Sequence, residues 1–364
     1  MSDDSQAQSE VHPQRNFLGT LQALRFFAAF IVVVYHARFA LPADVSASMG
    51  TMTLRVLDLG ASGVHIFFVI SGFVMVLNGL RPERPMRPGE FLSRRFIRIY
   101  PIYWLIGGIY LLVHAFWGVP YNLSLGEIAR AAILIPPDSS KIIGPGWTLS
   151  YEVYFYLCFA LCLSLPRRAT LPALTAFFVG SIALGFATGL RATLDVPTNS
   201  LLVEFLAGAW LAYWYLAGGR IRPGVGLALI VVGLVTFVAG IAAPTHSFPS
   251  AMIWGGPSLL LVAGTLAIEP WWKGRLARTA TALGDSSYFL YLSHILLLDG
   301  LVALVGDHVG RGNTVGIAAS LALAVPIVVI AHAGFLWIEN PLLRLMKRLT
   351  VRNSKPAAGR QNLI

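Results

Sequence analysis

The sequence predicts an all-α, polytopic membrane protein of about ten transmembrane helices, with both termini in the cytoplasm. Of its 364 residues, 56% are hydrophobic and only 12% are charged, and the mean hydropathy is +0.69. These values are typical of a chain that crosses a bilayer several times. Apolar runs of spanning length recur along the chain, and basic residues are shared unequally between the loops that join them.

Each apolar run is long enough for a helix to cross a hydrocarbon core of about 30 Å. The runs lie near residues 20–40, 59–79, 96–117, 147–165, 171–190, 199–217, 225–243, 251–269, 285–306 and 314–339. If the N-terminus is cytoplasmic, twenty Lys and Arg residues fall on the inner side and six on the outer side. The positive-inside rule requires such an asymmetry, so the distribution supports the orientation and the number of helices.

The chain divides into three predicted regions. These are a disordered cytoplasmic tail at residues 1–18, a ten-helix membrane domain at residues 19–345 and a basic cytoplasmic tail at residues 346–364. The net charge of +10 comes mainly from the inner loops, so it favours contact with membrane lipid and argues against nucleic acid as a partner. Cys158 and Cys162 are the only cysteines, which is too few for a metal site, and no metal is expected.

The first apolar run carries two polar residues that lipid would exclude. Arg25 and His36 are eleven positions apart, almost three helical turns, so both side chains project from one face. They are separated along the helix axis by roughly 16 Å. Ionisable groups within a span usually face a bundle interior or a watery cavity. We therefore expect Arg25 and His36 to mark the inner and outer ends of one internal channel.

Two further residues are predicted at the depth of His36. His65 lies near the outer end of the second run, and Glu152 lies about 8 Å below the outer boundary in the fourth run. A carboxylate beside a histidine orients the ring and stabilises the imidazolium ion, which is the usual arrangement of a general base. The three residues are expected to gather and to deprotonate an alcohol that attacks an activated acyl group.

A basic segment, RPERPMRPGEFLSRRFIRIYPIYW, leads into the third helix. Its Arg94, Arg95 and Arg98 lie at the predicted helix entrance, and Arg95 and Arg98 share a helical face. Arginine suits phosphate recognition, so these residues are candidate ligands of a phosphorylated substrate. The alternative is a loop whose positive charge only sets the orientation of the protein in the membrane and contacts anionic lipid headgroups. That alternative is favoured for the other arginines of the segment, Arg81, Arg84 and Arg87.

The remaining polar residues within the runs are interpreted as structural. Glu339, at the inner boundary, is explained by an ion pair with a neighbouring arginine. Three others are expected to be satisfied inside the bundle, namely Glu204, His294 and His332.

Five segments, taken in order, resemble the acyltransferase 3 family of membrane O-acyltransferases. They are LQALRFFAAFIVVVYHA, GVHIFFVISGFVM, FLSRRFIRIYPIYW, GWTLSYEVYFY and SSYFLYLSHI. The resemblance covers about residues 19 to 345 and is closest to the exopolysaccharide and O-antigen acetylase type. It implies a ten-helix acyltransferase of the bacterial inner membrane that takes an acyl group, commonly acetyl, from acyl-CoA on the cytoplasmic side. The acyl group ends on a hydroxyl of a surface or exopolysaccharide glycan.

The resemblance also implies roles for particular residues. The family's pattern of an arginine and a histidine separated by ten residues falls on Arg25 and His36, with His36 as the catalytic residue. The family's Arg-x-x-Arg element falls on Arg95 and Arg98, which are expected to meet the phosphates of the acyl donor. The family's acidic residue after the Trp-Ser/Thr-Leu-Ser element falls on Glu152. Many members have Asp where this chain has His65, so no role is carried over to that position.

The chemistry of the candidate residues and the family resemblance lead to the same hypothesis. The phosphates of acyl-CoA dock on the arginines, the pantetheine arm passes Arg25, and His36 acts as base toward a sugar hydroxyl with Glu152 orienting the ring. Direct transfer and a relay through an acyl-histidine both stay open. The competing class is a transporter or flippase of a polar solute or glycan precursor, which would also place polar groups inside a bundle. The particular acceptor, the length of the acyl group and the oligomeric state are undetermined.

Overall fold

The structure, a computed structural model, describes residues 18–41, 43–82, 86–117, 122–190, 193–242, 251–305 and 313–353. Arg84, residues 1–17 of the predicted N-terminal tail and residues 354–364 of the predicted C-terminal tail lie outside the described residues. Within the described ranges every regular element is helical, as the sequence predicts. The α-helices in chain order are α1 (Gly19–Ala40), α2 (Ala43–Ala47), α3 (Thr51–Asp58), α4 (Gly63–Gly79), α5 (Pro88–Phe116), α6 (Leu125–Ala132), α7 (Gly146–Cys162), α8 (Arg167–Thr188), α9 (Asp195–Thr198), α10 (Leu202–Leu216), α11 (Pro223–Ala239), α12 (Gly256–Ile268), α13 (Arg275–Asp285), α14 (Ser287–Val305), α15 (Asn313–Gly334) and α16 (Asn340–Asn353).

Seven helical segments of the described chain are long and apolar enough to cross a membrane. They are Gly19–Ala40, Thr51–Gly79, Pro88–Phe116, Arg167–Thr188, Ala251–Trp271, Ser287–Leu304 and Val315–Leu349. Three predicted spans correspond to shorter helices, α7 and α11 of 17 residues and α10 of 15 residues. At 1.5 Å per residue these helices reach about 22 to 26 Å. The architecture therefore agrees with a multi-pass membrane protein, with seven spans that meet the length requirement.

Helix α5 begins at Pro88, so the predicted start at residue 96 is wrong. Proline is favoured in the first turn of a helix because its φ is already helical and it lacks the N–H that would be unsatisfied there. Glu90 in the same turn adds a negative charge at the positive end of the helix dipole. The boundary set by hydrophobicity missed this turn because its residues are polar. As a consequence, Arg95 and Arg98 lie within a helix, and their directions are fixed by its geometry.

The start of α1 is held by a carboxylate from the loop before α13. Glu269 accepts hydrogen bonds from the backbone N–H groups of Gly19 at 2.8 Å and Thr20 at 2.9 Å, and from the Thr20 hydroxyl at 2.5 Å. Four N–H groups at a helix start lack partners within the helix, so this carboxylate satisfies two of them and complements the dipole. A second bond, from the Gln22 side chain to Asp285 at 2.8 Å, joins α1 to the end of α13. These contacts fix α1, which carries both Arg25 and His36.

Helices α4 and α10 approach each other closely through two glycines. A Cβ atom at Gly72 of α4 would lie 1.9 Å from the carbonyl oxygen of Phe205, and one at Gly208 of α10 would lie 1.9 Å from that of Val69. Small residues at helix crossings allow backbones to pack at short distance in membrane bundles. This crossing brings the first turn of α10, which carries Glu204, against the first turn of α4, which carries His65.

Candidate active site

Two cavities lie inside the helix bundle. The arginine cavity encloses about 110 Å³, and its charged lining residues are Arg25, Arg95, Arg98 and Glu152. The histidine cavity encloses about 730 Å³, and its ionisable lining includes Tyr35, His36, Arg38, Asp58 and His65. Val64 and Tyr291 line both cavities, so the two spaces adjoin at these side chains.

Arg25 and His36 line different cavities. Arg25 lines the arginine cavity and donates a hydrogen bond to the Gln22 side chain at 3.3 Å, whereas His36 lines the histidine cavity. Each side chain faces a cavity inside the bundle, as expected for an ionisable group within a span. The predicted single channel between these residues is represented by two cavities that share Val64 and Tyr291 in their linings.

The three candidate phosphate ligands differ in position. Arg94 is exposed and bonds to Glu90 at 2.5 Å one turn away, and it is not among the residues that line the arginine cavity. Arg98 lines that cavity, forms an ion pair with buried Glu339, as predicted for this carboxylate, and stacks on the Tyr288 ring at 4.9 Å. The predicted cluster is therefore divided between the cavity and the helix surface.

Arg95 lines the arginine cavity with an unsatisfied donor. Its guanidinium lies 5.8 Å from the centre of the Phe91 ring and 5.9 Å from that of Tyr156. Its Nε is buried and has no hydrogen-bond partner in the described structure. A buried guanidinium N–H without a partner is costly, so an anionic group reaching this position would satisfy it. The arginine residues present therefore fit the phosphates of an acyl-CoA donor.

Glu152 does not orient His36, so the predicted pairing is wrong. Its carboxylate accepts hydrogen bonds from the Ser71 hydroxyl at 2.9 Å and from the Tyr156 hydroxyl, and it lines the arginine cavity. The prediction used depth along the helix, which does not determine the direction in which a side chain points around the axis. The carboxylate faces the space that Arg25 and Arg95 also line, where it balances part of their positive charge.

His36 has another histidine as its partner. Its Nδ1 lies 2.9 Å from the Val32 carbonyl oxygen and 3.2 Å from Nε2 of His294, whose own Nδ1 lies 2.8 Å from the Tyr291 carbonyl oxygen. A carbonyl oxygen can only accept, so we assign the proton to Nδ1 in both neutral rings. His36 Nδ1–H then also points to the His294 Nε2 lone pair. This tautomer leaves Nε2 of His36 free as a base or nucleophile.

The carboxylate–histidine pair expected at this cavity is formed by His65, one of the three predicted residues, with Glu204 in place of Glu152. His65 Nδ1 lies 2.6 Å from Oε1 of Glu204, which is 2% exposed. Glu204 Oε2 is buried and has no hydrogen-bond partner in the described structure. Of the three residues predicted to gather, His36 and His65 line the same cavity and Glu152 does not.

The lining of the histidine cavity combines aromatic rings with an ion pair. Arg38 bonds to Asp58 at 2.6 Å and lies over the Phe39 ring at 4.2 Å. Tyr35 and Trp147 also line the cavity. Flat apolar rings beside hydrogen-bonding groups suit a molecule that has both apolar faces and hydroxyls.

A charge network holds the segment between α5 and α7. This segment also lines the histidine cavity, through Gly144 and Pro145. Lys141 bonds to Glu127 and, at 2.7 Å, to Asp138, which Arg130 also contacts at 2.5 Å. Hydrogen bonds from Lys141 and Ser124 lower the pKa of Glu127 to about 2. Lys141 and Arg130 also lower the pKa of Asp138. The network is therefore ionised at neutral pH.

Sequence reasoning missed the contributions of Glu204 and His294, which were interpreted as structural. A usable signal was present, because each is an ionisable residue within an apolar run, and such residues usually face cavities or partners. His332, interpreted in the same way, lies 3.2 Å from the Ser286 hydroxyl and does not line either cavity. Among the described residues no group of three or more His, Cys, Asp or Glu side chains is placed to bind a metal ion.

The long apolar helices of the described chain are those of a multi-pass membrane protein, and polar cavities lie between them. The chain belongs to the acyltransferase 3 family, because the acyltransferase domain of that family matches residues 18–333. It is therefore a membrane acyltransferase.

Three relatives illustrate the range of the family. The exopolysaccharide production protein ExoZ of Rhizobium meliloti (strain 1021) is 33% identical over 79% of this chain and 90% of its own length. The acyltransferase MdmB of Streptomyces mycarofaciens is 26% identical over 91% of this chain and 93% of its own. Nodulation protein 10 of Rhizobium leguminosarum bv. viciae is 27% identical over 90% of this chain and 94% of its own length. No solved structure matches the chain.

Proposed function

We propose that this protein transfers an acyl group, normally acetyl, from acyl-CoA on the cytoplasmic side to a hydroxyl of a surface or exopolysaccharide glycan. Family membership supports the reaction class, and the relatives named for exopolysaccharide production and nodulation support a glycan as acceptor. A transporter or flippase, the competing class, has no support from the family or these relatives. The observation that carries the proposal is the pair of adjoining cavities, one lined by arginines and the other by histidines.

The arginine cavity is proposed as the donor site. Arg95, with its unsatisfied Nε, and Arg98, which keeps further N–H donors beside its bond to Glu339, would hold the phosphates of acyl-CoA. Arg25 would compensate negative charge along the route of the donor through this cavity. Glu152 would balance the arginine charge and fix the Tyr156 hydroxyl to which it is bonded. Arg94, bonded to Glu90 at the surface, would contribute only indirectly.

The histidine cavity is proposed as the acceptor site. The aromatic rings of Tyr35, Phe39 and Trp147, together with the Arg38–Asp58 pair, offer a sugar both stacking surfaces and hydrogen-bond partners. His36 would act on the acyl group there, either as base toward the hydroxyl or as acyl carrier. Its Nε2 is available for either role because Nδ1 is held by Val32 and His294.

We further propose ten membrane spans, with the acyltransferase domain at residues 19–345 between cytoplasmic tails at residues 1–18 and 346–364. The seven long segments and the shorter helices α7, α10 and α11 together occupy the ten predicted positions. Short helices are accommodated in a membrane by local thinning and by neighbours in the bundle. The excess of basic residues in alternate loops supports cytoplasmic termini in a bacterial inner membrane.

The test uses inner-membrane vesicles that contain the full chain, with acetyl-CoA labelled in the acetyl group. We expect release of CoA thiol and appearance of label on oligosaccharides from alkali-treated exopolysaccharide of the producing cells. His36→Ala should abolish label transfer, and His332→Ala, a matched histidine of the bundle, should leave it unchanged. Equal transfer by wild type and a well-expressed His36→Ala variant would contradict the role of His36, and no thiol release by wild type would contradict acetyl-CoA as donor.

A further inference from the structure

The histidine cavity contains two histidines whose partners differ in charge. His65 Nδ1 is 2.6 Å from the buried carboxylate of Glu204, whereas His36 Nδ1 contacts the Val32 carbonyl and the neutral ring of His294. Within the described residues, His36 has no hydrogen bond to a carboxylate. Both rings have Nδ1 occupied as a donor, so each has Nε2 as its available atom.

The two environments favour different chemical roles. A carboxylate beside a histidine stabilises the imidazolium form, so it favours a ring that takes up a proton during the reaction. A neutral acceptor such as His294 fixes the tautomer without attracting a second proton, so it keeps the facing ring as an uncharged nucleophile. His65 therefore has the surroundings of a base, and His36 has the surroundings of an acyl acceptor.

The His65–Glu204 pair is built into the fold. Glu204 is 2% exposed, and the only hydrogen bond of its carboxylate in the described structure is to His65. The close α4–α10 crossing at Gly72 and Gly208 holds the two residues in register. An isolated buried carboxylate is costly, so a purely structural role would be served as well by an uncharged residue.

We propose that His65, positioned by Glu204, takes the proton of the acceptor hydroxyl, and that His36 carries the acyl group between donor and acceptor. This inference rests on the proposed function and decides between the direct and relayed transfers that the sequence leaves open. It makes His65 a catalytic residue and Glu204 a positioning residue.

The first step transfers the acyl group to the protein. The Nε2 lone pair of His36 attacks the thioester carbonyl carbon, the C–S bond breaks, and the thiolate of CoA leaves with the bonding electrons and takes a proton from water. The product is an acylimidazolium that keeps its Nδ1 proton toward Val32 and His294. For this step the thioester must reach from the arginine cavity past Val64 and Tyr291.

The second step transfers the acyl group to the glycan. The acceptor hydroxyl oxygen attacks the acyl carbon while its proton passes to Nε2 of His65, and the C–N bond breaks with its electrons returning to His36. The His65 imidazolium, stabilised by the Glu204 carboxylate, then releases its proton to water. The sum of both steps is thioester plus alcohol giving ester plus thiol.

The two roles are separated by pre-steady-state kinetics on the purified full chain in lipid nanodiscs. With labelled acetyl-CoA alone, wild type should release a burst of about one thiol per protein molecule and hold label that hydroxylamine removes. His65→Ala should keep this burst but transfer label to exopolysaccharide oligosaccharides at least about 100-fold more slowly. His36→Ala should show no burst. Added imidazole should restore part of the transfer in His65→Ala by replacing the missing base.

Glu204 is tested separately, in case His65→Ala fails to fold. Glu204→Gln should keep the burst and slow the transfer step with an unchanged KM for acetyl-CoA, and Glu204→Asp should recover part of the rate. Unchanged transfer in His65→Ala or Glu204→Gln would overturn the inference, as would a burst in His36→Ala or loss of the burst in folded variants of both His65 and Glu204. Absence of thiol release by wild type would instead overturn the proposed function itself, and this inference with it.

Discussion

The arginine cavity and the histidine cavity adjoin each other, yet their side chains are suited to different tasks. In the first, Arg25, Arg95 and Arg98 contribute guanidinium groups, which suit the binding of an anion. In the second, His36 and His65 belong to the residue type that exchanges a proton most readily near neutral pH. Under the proposed function, this difference assigns donor recognition and acceptor activation to separate spaces, which share Val64 and Tyr291 in their linings. Substitutions in one space should therefore affect different kinetic steps from substitutions in the other.

The largest effect is expected at Arg25, on the donor side of the comparison. Arg25→Ala should slow thiol release from acetyl-CoA by about 100- to 1,000-fold, because it removes a cation that balances the partly buried Glu152, and an uncompensated buried charge costs about 3–5 kcal/mol. Thiol assays on nanodisc protein measure it directly. Arg25→Lys, which keeps the charge, should recover part of the rate. A normal burst in Arg25→Ala would show that the two cavities do not divide the reaction as described.

A smaller effect on the same side is expected at Arg95. Arg95→Ala should raise the KM for acetyl-CoA by about 10- to 100-fold with kcat nearly unchanged, since a charge-assisted hydrogen bond contributes about 1.5–3 kcal/mol. The matched control is Arg94→Ala, one position earlier, whose side chain is exposed and bonded to Glu90. Equal KM values for the two variants would contradict the assignment of the phosphates to the arginine cavity.

The α4–α10 crossing provides a test on the histidine side that measures stability. Gly208→Ala should lower the free energy of unfolding by about 1–3 kcal/mol, because the added Cβ would overlap the Val69 carbonyl oxygen and force the helices apart. Thermal unfolding in detergent measures the change. Gly180→Ala is the matched control, because a Cβ at that helical glycine meets nothing within 4 Å. The Gly208 variant should also slow acyl transfer more than thiol release, since it moves Glu204 relative to His65.

The smallest effect is expected in the segment that frames the histidine cavity. The pKa of Glu127 is lowered to about 2, so its stabilising contribution is complete above its ordinary pKa of 4.5 and is lost as the pH falls through about 2. Amide hydrogen exchange of α6 should therefore remain slow down to about pH 3. Glu127→Gln should speed that exchange modestly at neutral pH, whereas Glu90→Gln on α5 should not. Loss of protection near pH 5 in wild type would contradict this account.

The sequence predicted the helical class from composition, and it predicted that Arg25 and His36 face cavities because ionisable groups within an apolar run avoid lipid. It did not predict the partner of His36, since His294 is 258 positions away and the packing of α14 against α1 is a tertiary property. Glu152 illustrates the same limit, because its depth in the membrane left its direction around the helix axis undetermined. The start of α5 at Pro88 was missed because hydrophobicity marks the membrane core and not the end of a helix that extends beyond it.

The boundary between the cavities has a consequence for the cell that houses the enzyme. A bilayer is useful only while it resists proton flow, and adjoining polar spaces inside a membrane protein lower that resistance if they join. Here the Val64 side chain is apolar, and the Tyr291 hydroxyl is bonded to Thr148 at 2.9 Å. Replacing either residue with glycine would join the spaces. Protons would then cross more easily, and the measured conductance of the membrane would rise.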